Sequence, residues 1–382
     1  MTSPLSSPET VVVAGGGFAG LFSALAVHER LPERPVMVIE PRDRFLFQPL
    51  LYELLSGELQ GWEVAPTYRQ LLSSRGICWL QDSVSGIDLD NQKLTTAAGH
   101  CVDWGDLVLA TGTKLNDFGV PGVREHACGF RDLNDVKRLR ALVKDLKKRR
   151  PQDAAVAIVG AGPTGVELAC KLADMLEGAA RIHLIEMGDR ILPNSASFNR
   201  ERAAAALERR EVCLHLNTAV TAVHADRVRF KDGGVLPHSG LIWSAGSSPT
   251  LPDIHPSSAR PNAPLNINQD LRLLDHKRVF ALGDCGRCSL EPWPATAQVA
   301  MQQGVAVAKA LEAIGHQQEP EPFQFQDRGE MLSLGIGDAT LTGLGITLAG
   351  PLAFKIRRAT YLTRLPGLSL GLRSAGAWLL SR

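Results

Sequence analysis

The stretch TVVVAGGGFAGLFSALAV, residues 10–27, decides the fold of this 382-residue chain. A β-branched strand runs into a turn in which Gly15, Gly17 and Gly20 have GxGxxG spacing, and an apolar helical pattern follows. Such glycines permit a tight turn and a close backbone approach to a pyrophosphate, which the helix N-terminus binds through its N–H groups. The next strand, PVMVIE, ends in Glu40, whose carboxylate can accept a hydrogen bond from a ribose hydroxyl. The stretch therefore predicts a Rossmann-like dinucleotide-binding unit.

The same organisation recurs in AVAIVGAGPTGVELACKL, where Gly160, Gly162 and Gly165 have the same spacing. The strand RIHLIE then ends in Glu186. An acid at this position favours NADH, because the 2′-phosphate of NADPH would meet a carboxylate. Arg190, four residues further on, leaves NADPH open as the alternative. Two complete units predict two bound dinucleotides, for which FAD and a nicotinamide nucleotide are the usual pair in one chain.

Composition excludes several classes of protein. A hydrophobic content of 45% and a charged content of 21% are typical of a globular chain with large cores. The 41 basic and 40 acidic residues balance to a net charge of +1, so nothing attracts the whole chain to nucleic acid. No apolar run approaches the roughly 20 residues of a membrane-spanning helix, and the seven scattered cysteines fit a reducing compartment. The body of the protein is expected to be cytoplasmic.

Three further segments carry a resemblance to a known superfamily. DLVLATGTK and GLIWSAGSSP each end a hydrophobic strand in small residues, and HKRVFALGDCG ends one in Gly283 and Asp284. The chain thereby resembles the flavoproteins with two dinucleotide-binding domains, in which the first two segments join an FAD domain to an inserted NAD(P)H domain. The resemblance assigns Asp284 to a hydroxyl of the FAD ribityl chain; alone, it could equally be an ordinary turn or helix-capping aspartate.

The resemblance narrows with FLFQPLLYELLSGEL, residues 45–59, and ATAQVAMQQG, residues 295–304. Both resemble type II NAD(P)H dehydrogenases, which are single-chain quinone reductases. The resemblance implies that Gln48 contacts the isoalloxazine edge and that Gln298 and Gln302 line the quinone pocket. Four residues apart, these two glutamines share one helical face, and the alternative is that the face is simply exposed to solvent.

Glu167 is predicted to lie in the first turn of the second fingerprint helix. The same resemblance makes it the candidate proton-handling group beside flavin and quinone. A carboxylate in a first helical turn also stabilises the helix dipole without any chemistry, and this alternative stays open.

The predicted site is therefore large. Its candidate catalytic residues are Glu167, Gln298 and Gln302. Its candidate cofactor-binding residues are Gly15, Gly16, Gly17, Phe18, Ala19, Gly20, Glu40, Gln48, Thr111, Gly112, Gly160, Gly162, Pro163, Thr164, Gly165, Glu186, Ala245, Gly246, Gly283, Asp284, Ala297 and Gln298. No metal site is predicted.

The predicted fold class is α/β, with two Rossmann-like domains of the glutathione reductase type and a small C-terminal region that associates with a membrane. The expected domains are an FAD-binding domain formed by residues 1–115 and 246–315, an inserted NAD(P)H-binding domain at 116–245, and a C-terminal region at 316–382.

The C-terminal region has no acidic residue after Asp338. Basic residues there alternate with apolar ones, which suits an amphipathic element at a bilayer interface that attracts anionic lipids. They are Lys355, Arg357, Arg358, Arg364, Arg373 and Arg382. The alternatives are a packed helical hairpin with a basic solvent face, or a contact in a homodimer. The prediction places the protein on the cytoplasmic face of a membrane, such as the thylakoid or plasma membrane of a cyanobacterium.

Cys285 and Cys288 form a CxxC pair directly after the Gly-Asp motif. Related dithiol reductases carry their cysteine pair elsewhere in the chain, and two thiols alone do not complete a zinc site. We therefore expect both cysteines to be bystanders.

The expected function is electron transfer from NAD(P)H through FAD to a membrane quinone, without proton pumping. The strings LLYELLSGELQGWEVAPTYRQLL and GLSLGLRSAGAW resemble the cyanobacterial and plastid branch, which includes a demethylphylloquinone reductase of phylloquinone biosynthesis. The alternatives are a flavoprotein reductase of a small iron-sulfur protein, or a redox-sensing flavoprotein that binds NADH without turnover.

Overall fold

The computed structural model describes residues 6–7, 9–256 and 262–366, together with residues 371, 373, 374, 376 and 378. The helices in this part of the chain are α1 (Phe18–Arg30), α2 (Leu51–Ser56), α3 (Gly61–Val64), α4 (Tyr68–Leu72), α5 (Val123–His126), α6 (Leu133–Arg149), α7 (Pro163–Leu176), α8 (Ser197–Glu208), α9 (Ala297–Gly315) and α10 (Pro351–Arg364). Within the described residues, no helix has both the length and the apolar character needed to cross a membrane.

The strands are short, as is usual for an α/β protein. They are β1 (Val11–Ala14), β2 (Val36–Ile39), β3 (Cys78–Leu80), β4 (Val84–Asp88), β5 (Lys93–Thr96), β6 (Cys101–Asp103), β7 (Asp106–Leu109), β8 (Thr113–Leu115), β9 (Ala127–Cys128), β10 (Ala155–Val159), β11 (Arg181–Ile185), β12 (Cys213–His215), β13 (Val220–Val223), β14 (Arg227–Phe230), β15 (Val235–Pro237), β16 (Gly240–Trp243), β17 (Ser247–Pro249), β18 (Asp253–His255), β19 (Leu265–Ile267), β20 (Val279–Ala281), β21 (Gly286–Cys288), β22 (Glu330–Ser333), β23 (Ala339–Gly343) and β24 (Ile346–Ala349).

The chain divides into two compact units. The first unit comprises Met1–Leu46, Ala65–Lys114 and Ser247–Asp327. The second comprises Phe47–Val64, Leu115–Gly246 and Arg328–Arg382. The C-terminal segment thus clusters with the unit that contains the second glycine turn, and the segment around the Phe-Gln-Pro-Leu-Leu-Tyr string does the same.

The first unit is built on a five-stranded parallel sheet in the order β20-β7-β1-β2-β3. Strands β1, β2 and β7 are buried along their whole length, which explains their continuous runs of apolar residues. Helix α1 lies against α9, and a Cβ added to Gly304 would be only 2.7 Å from the backbone nitrogen of Ser23. This close helix contact fixes the start of α1 at the carboxyl end of β1.

The second unit repeats the parallel architecture in the order β12-β11-β10-β16-β9. Strand β10 is fully buried and leads directly into α7. Two antiparallel sheets complete the unit, one formed by β13, β14 and β15 and the other by β22, β23 and β24. Helix α10 packs on the last of these sheets and buries Ala353, Arg357 and Tyr361, which are spaced four residues apart. The predicted fold class, with two dinucleotide-binding-type parallel sheets, is confirmed.

Candidate functional site

The first glycine turn has the backbone geometry that its sequence predicts. Gly15 has a φ of +101°, and a Cβ there would lie 2.3 Å from the carbonyl oxygen of Ala110. A Cβ at Gly20 would lie 1.8 Å from the oxygen of Gly15, whereas one at Gly17 would meet open space. Gly17 is the N-cap of α1, and among the described side chains none caps this helix start. Helix α1 therefore begins without a side-chain cap among the described residues, and a helix start of this kind fits a pyrophosphate.

The carboxylate that follows β2 is buried and held by hydrogen bonds. Glu40 is 2% exposed and accepts hydrogen bonds from the N–H of Gly16 at 2.8 Å and from Nε of Arg42 at 2.7 Å. Burial opposes ionisation, but the hydrogen bond and positive charge of Arg42 outweigh it and lower the pKa of Glu40. The hydroxyl of Tyr68 donates to the carbonyl oxygen of Gly16 at 2.7 Å. An ionised carboxylate beside the glycine turn fits the hydroxyl of a nucleotide ribose. Sequence reasoning identified Glu40 but missed the supporting Tyr68 and Arg42.

The second glycine turn is nearly a copy of the first. Gly160 has a φ of +100°, and a Cβ at Gly165 would lie 1.8 Å from the oxygen of Gly160. Gly162 is the N-cap of α7, and among the described residues no side chain caps it. Glu186 accepts hydrogen bonds from the N–H groups of Ala161 at 2.7 Å and of Gly188 at 2.8 Å. This turn fits a second dinucleotide in the same way, with Pro163 and Thr164 in the first turn of α7.

The fixed carboxylate of Glu186 at this second turn leads us to expect a preference for NADH over NADPH. Glu186 occupies the position that would face a 2′-phosphate, and Arg190 directs both Nε and Nη2 to Asp189, at 2.9 and 2.8 Å. The like charges of a phosphate and a carboxylate at close range cost a few kcal/mol near a protein surface, so we expect at least about a tenfold preference for NADH. The measurement is the ratio of kcat/KM for NADH and NADPH, which Glu186→Ser should bring towards one. Glu201→Ser, at an exposed acid of α8, is the matched control, and an unchanged ratio in Glu186→Ser would contradict the assignment.

A cavity of about 280 Å³ lies in the first unit. Gly283, Asp284, Trp293 and Gln303 are among its lining residues. The indole nitrogen of Trp293 is buried and has no hydrogen-bond partner among the described residues. Thr113 donates to Asp284 at 3.4 Å, and the N–H of Gly283 donates to Oε1 of Gln303 at 2.7 Å. The carboxylate of Asp284 gives this cavity a polar group that the hydroxyls of a bound cofactor require.

The two cysteines of the CxxC pair are buried, with Cys285 at 0% and Cys288 at 1% exposure. The sulfur of Cys285 accepts the N–H of Gly112 at 3.1 Å and lies 3.3 Å from Oγ1 of Thr111. Burial raises the pKa of the Cys285 thiol, so the reactive thiolate is disfavoured. Both sulfurs are free thiols, and Cys285 fixes the loop that carries Thr111 and Gly112.

The glutamines of α9 have different environments. Ala297 and Gln298 are half-buried at the start of the helix, behind the N-cap Thr296. The amide of Gln302 pairs with the peptide group of Gln326, accepting its N–H at 3.0 Å and donating to its oxygen at 2.9 Å.

Gln303 was not selected from the sequence. It is 2% exposed, and its Oε1 accepts the N–H of Gly283. The signal available was its position next to Gln302 in the string ATAQVAMQQG.

In the second unit, Glu167 is the fifth residue of α7, so the prediction that it lies in the first turn of this helix is wrong. It belongs to a buried polar cluster. It is 6% exposed, and its Oε1 accepts the N–H of Ser333 at 2.6 Å and lies 3.7 Å from Nη2 of Arg357. The hydroxyl of Tyr52 also hydrogen-bonds to it. Burial raises the pKa of Glu167 to about 7, against the opposing effects of Arg357 and the Ser333 N–H and with help from the negative charge of Glu53. A carboxyl group that titrates near neutral pH suits general acid–base chemistry.

Arg357 corrects one prediction. It was expected on a basic face turned to a bilayer, and this is wrong, because Arg357 is 1% exposed and forms an ion pair with Glu53. Its Nη2 also donates to the carbonyl oxygen of Pro49 at 2.7 Å. A buried ion pair of this kind stabilises the fold only while both partners are present.

The other basic residues of the C-terminal segment differ in exposure and in the groups that they contact. Lys355 is exposed, and Arg364 is half-buried. The guanidinium groups of Arg358 and Arg373 lie 3.9 and 5.1 Å from the ring centres of Trp378 and Trp62. The predicted basic residue Arg382 lies outside the described residues.

Gln48 is exposed at the start of a short 3-10 turn in the second unit, next to the Arg357 contact at Pro49. Ala245 and Gly246 follow β16, where the backbone nitrogen of Ala245 would be 2.9 Å from a Cβ at Gly160. The structure thus brings Ala245 close to the second glycine turn, and its contact with a nicotinamide nucleotide stays a prediction.

Comparisons with known proteins agree with this geometry. The family model of pyridine nucleotide-disulphide oxidoreductases matches residues 9–304. The chain is 36% identical to the demethylphylloquinone reductase NdbB of Synechocystis, over 97% of each chain. It is 32% identical to the alternative NAD(P)H-ubiquinone oxidoreductase C1 of Arabidopsis thaliana, over 93% of this chain and 78% of that one.

Solved structures support the fold. The NDH2 of Plasmodium falciparum in complex with NADH superimposes with a TM-score of 0.86 at 18% identity, over 96% of each chain. The sulfide:quinone oxidoreductase of Aquifex aeolicus has a TM-score of 0.79 at 20% identity, over 94% of this chain and 91% of that one. With two glycine turns of the required geometry and relatives that match almost end to end, the chain belongs to the pyridine nucleotide-disulphide oxidoreductase family and, within it, to the type II NAD(P)H dehydrogenases.

Proposed function

We propose that this protein transfers electrons from NAD(P)H through bound FAD to a quinone. The observation that carries the proposal is the pair of glycine turns whose helices begin without a side-chain cap among the described residues, each beside a fixed carboxylate. The relatives named as NAD(P)H-dependent quinone reductases support the choice of acceptor.

The residues of the first unit would hold FAD. The turn from Gly15 to Gly20 would bind the pyrophosphate, Glu40 a ribose hydroxyl and Asp284 the ribityl chain. The second turn, with Glu186, Ala245 and Gly246, would hold the nicotinamide nucleotide. A flavin held by these residues would supply the chemistry of hydride acceptance and two-electron transfer to the acceptor.

Quinone reduction also requires protons. A quinol carries two more hydrogens than its quinone, whereas NADH supplies one hydride, so a second proton must come from water. Glu167, which can hold or release a proton near pH 7, is proposed as its carrier. Gln298 and Gln302 are proposed to bind the quinone carbonyls, which requires the Gln302 amide to leave Gln326.

The proposed acceptor is a naphthoquinone with a long apolar tail. The relative from Synechocystis is named a demethylphylloquinone reductase and is similar over 97% of both chains, which favours a biosynthetic role in forming phylloquinone. Such a tail lies in a bilayer, so we propose peripheral attachment to a membrane, on its cytoplasmic side.

Exposed apolar side chains near the C-terminus support this attachment. Leu344 at the β23–β24 turn is 82% exposed, and Ile346 and Leu352 are 53% and 59% exposed, with the exposed Lys355 nearby in sequence. The thylakoid or plasma membrane of a cyanobacterium and a homodimer remain predictions.

The proposal can be tested with the purified holoenzyme under anaerobic conditions. Addition of NADH should bleach the flavin absorbance, and a short-chain naphthoquinone should then restore it. Flavin that stays oxidised with NADH would indicate the non-catalytic sensor and overturn the proposal. Reduced flavin that a small iron-sulfur protein reoxidises and quinone does not would overturn it in favour of the iron-sulfur reductase.

The role of the thiols gives a separate prediction. Because both sulfurs are buried and the pKa of Cys285 is raised, Cys285→Ser/Cys288→Ser should change the rate of flavin reoxidation by quinone less than about twofold. Gln302→Leu should slow that step about fivefold or more, with flavin reduction by NADH unchanged, since one lost hydrogen bond costs about 1 kcal/mol or more. Stopped-flow absorbance measures both steps. If quinone reoxidised the flavin of the double serine variant as slowly as that of Gln302→Leu, the cysteines would take part in electron transfer.

A further inference from the structure

Three charged side chains meet in the interior of the second unit. Glu53 comes from α2, Glu167 from α7 and Arg357 from α10, and their exposures are 1%, 6% and 1%. Oε1 of Glu53 accepts a hydrogen bond from Nη1 of Arg357, while Nη2 of Arg357 lies 3.7 Å from Oε1 of Glu167. Arg357 is thus shared, with Glu53 as its direct partner and Glu167 as its second neighbour.

The charges of this cluster do not balance. Two ionised carboxylates and one guanidinium would leave a net negative charge in a site that water hardly reaches, which is unfavourable. One proton removes the excess. The geometry decides which carboxyl group takes it, because Glu53 makes the direct ion pair and Glu167 stands further from the positive charge.

The other neighbours of Glu167 influence whether its carboxyl group is protonated. The Ser333 N–H and the Tyr52 hydroxyl both donate to it and favour the ionised form, whereas burial and the negative charge of Glu53 favour the neutral form. Cys170 on α7 and Tyr361 on α10 are further titratable groups near Glu167 in the described part of the chain, and burial raises the pKa of each. Lys171, one turn further along α7, is neutralised by Glu58 at 2.6 Å.

The cluster also has unused hydrogen-bonding capacity. Oε2 of Glu53 and Nε of Arg357 are buried and have no partner among the residues that the structure describes. An arginine with a spare donor can pair more closely with Glu167 if its present partner loses its charge. Glu53 therefore controls how strongly Arg357 stabilises the ionised form of Glu167.

We propose that Glu53 is a positioning residue, which retains Arg357 as its ion-pair partner and so keeps the guanidinium from pairing closely with Glu167. The inference rests on the proposed function, in which Glu167 carries a proton for quinone reduction. Glu53 itself does not contact substrate or cofactor in this proposal. Its effect is transmitted through Arg357.

The test is the pH dependence of flavin reoxidation by naphthoquinone in the Glu53→Gln holoenzyme. In the wild type the rate should fall with a midpoint near pH 7, as Glu167 loses its proton. The substitution removes a negative charge and frees Arg357, and both changes favour ionised Glu167. The midpoint should therefore move to lower pH by about one unit or more, and the rate at pH 8 should fall about tenfold. Flavin reduction by NADH should be unchanged.

Two control variants separate positioning from a merely structural role. Glu330→Gln removes another partly buried carboxylate of the second unit, one bonded to Ser195 and Asn199, and should leave the midpoint unchanged. Arg357→Met removes the positive charge through which Glu53 acts and should instead move the midpoint to higher pH, because the guanidinium favours the ionised form of Glu167. A Glu53→Gln protein that is less stable but has the wild-type midpoint would overturn the proposal.

Infrared spectroscopy gives a readout that needs no turnover. The carbonyl band of a protonated buried carboxyl group should titrate near pH 7 in the wild type, be absent in Glu167→Gln, and titrate at lower pH in Glu53→Gln. If this band titrated at the same pH in the wild type and in Glu53→Gln, the positioning role of Glu53 would be wrong. If quinone fails to reoxidise the flavin while the band shifts as expected, the proposed function is wrong and the role of Glu53 stands.

Discussion

Replacing Gly15 with alanine is expected to abolish stable binding of FAD. Gly15 has a φ of +101°, and its added Cβ would lie 2.3 Å from the oxygen and 2.7 Å from the carbon of the Ala110 carbonyl group. These are backbone atoms of a buried strand end, so they cannot move aside as a flexible side chain would. The turn must open, and the start of α1 then leaves the position in which its N–H groups meet the pyrophosphate.

The measurement is the ratio of flavin to protein after purification, together with the Kd for added FAD. We expect a colourless protein whose affinity for FAD is reduced at least about a hundredfold, because several N–H contacts to phosphate are lost together. Gly315→Ala, at the end of α9 where a Cβ meets open space, is the control and should retain full flavin. Stoichiometric yellow Gly15→Ala protein would mean that FAD is not bound at this turn.

Replacing Arg357 with methionine is expected to lower the free energy of unfolding by about 3–5 kcal/mol. The substitution leaves Glu53 buried with no neutralising charge, and Oε2 of Glu53 already has no partner among the described residues. It also removes the donor to the Pro49 carbonyl oxygen. Arg357→Met combined with Glu53→Met should regain most of the loss, because an apolar pair of similar volume needs no neutralisation.

Urea unfolding followed by tryptophan fluorescence would measure these changes. The matched control is Arg149→Met, which breaks an exposed ion pair with Asp145 on α6 and should cost less than about 1 kcal/mol. If Arg357→Met costs no more than this control, the ion pair with Glu53 does not form in the folded protein. If the double variant is as unstable as the single one, the loss arises from packing instead of from uncompensated charge.

Local patterns predicted the parts of the site that depend on neighbours in sequence. The glycines at 15 and 160 were recognised because a tight turn after a buried strand admits few other residues, and the structure gives both a positive φ. Glu40 and Glu186 were recognised by their distance from those turns. The confirmed fold class and pair of dinucleotides follow from these short-range constraints, whereas the family was recognised from the strings at residues 45–59 and 295–304.

The basic C-terminal residues show where local patterns fail. Lys355 and Arg357 look alike in sequence, and both were assigned to one basic face, yet Lys355 is exposed and Arg357 is buried. The available signal was the helical spacing of Ala353, Arg357 and Tyr361, which places Arg357 on the apolar side of α10. An arginine there requires an acidic partner, and the pattern within α10 does not contain one.

The sequence by itself determined two strand-turn-helix units, their glycines and their carboxylates, because each of these is specified within about thirty residues of chain. The tertiary structure decided which charges share an interior. Glu53 and Arg357 are 304 positions apart, and Glu167 and Ser333 are 166 apart. Whether a charge is neutralised, and hence where a carboxyl group titrates, depends on which groups the fold brings within a few ångströms and shields from water.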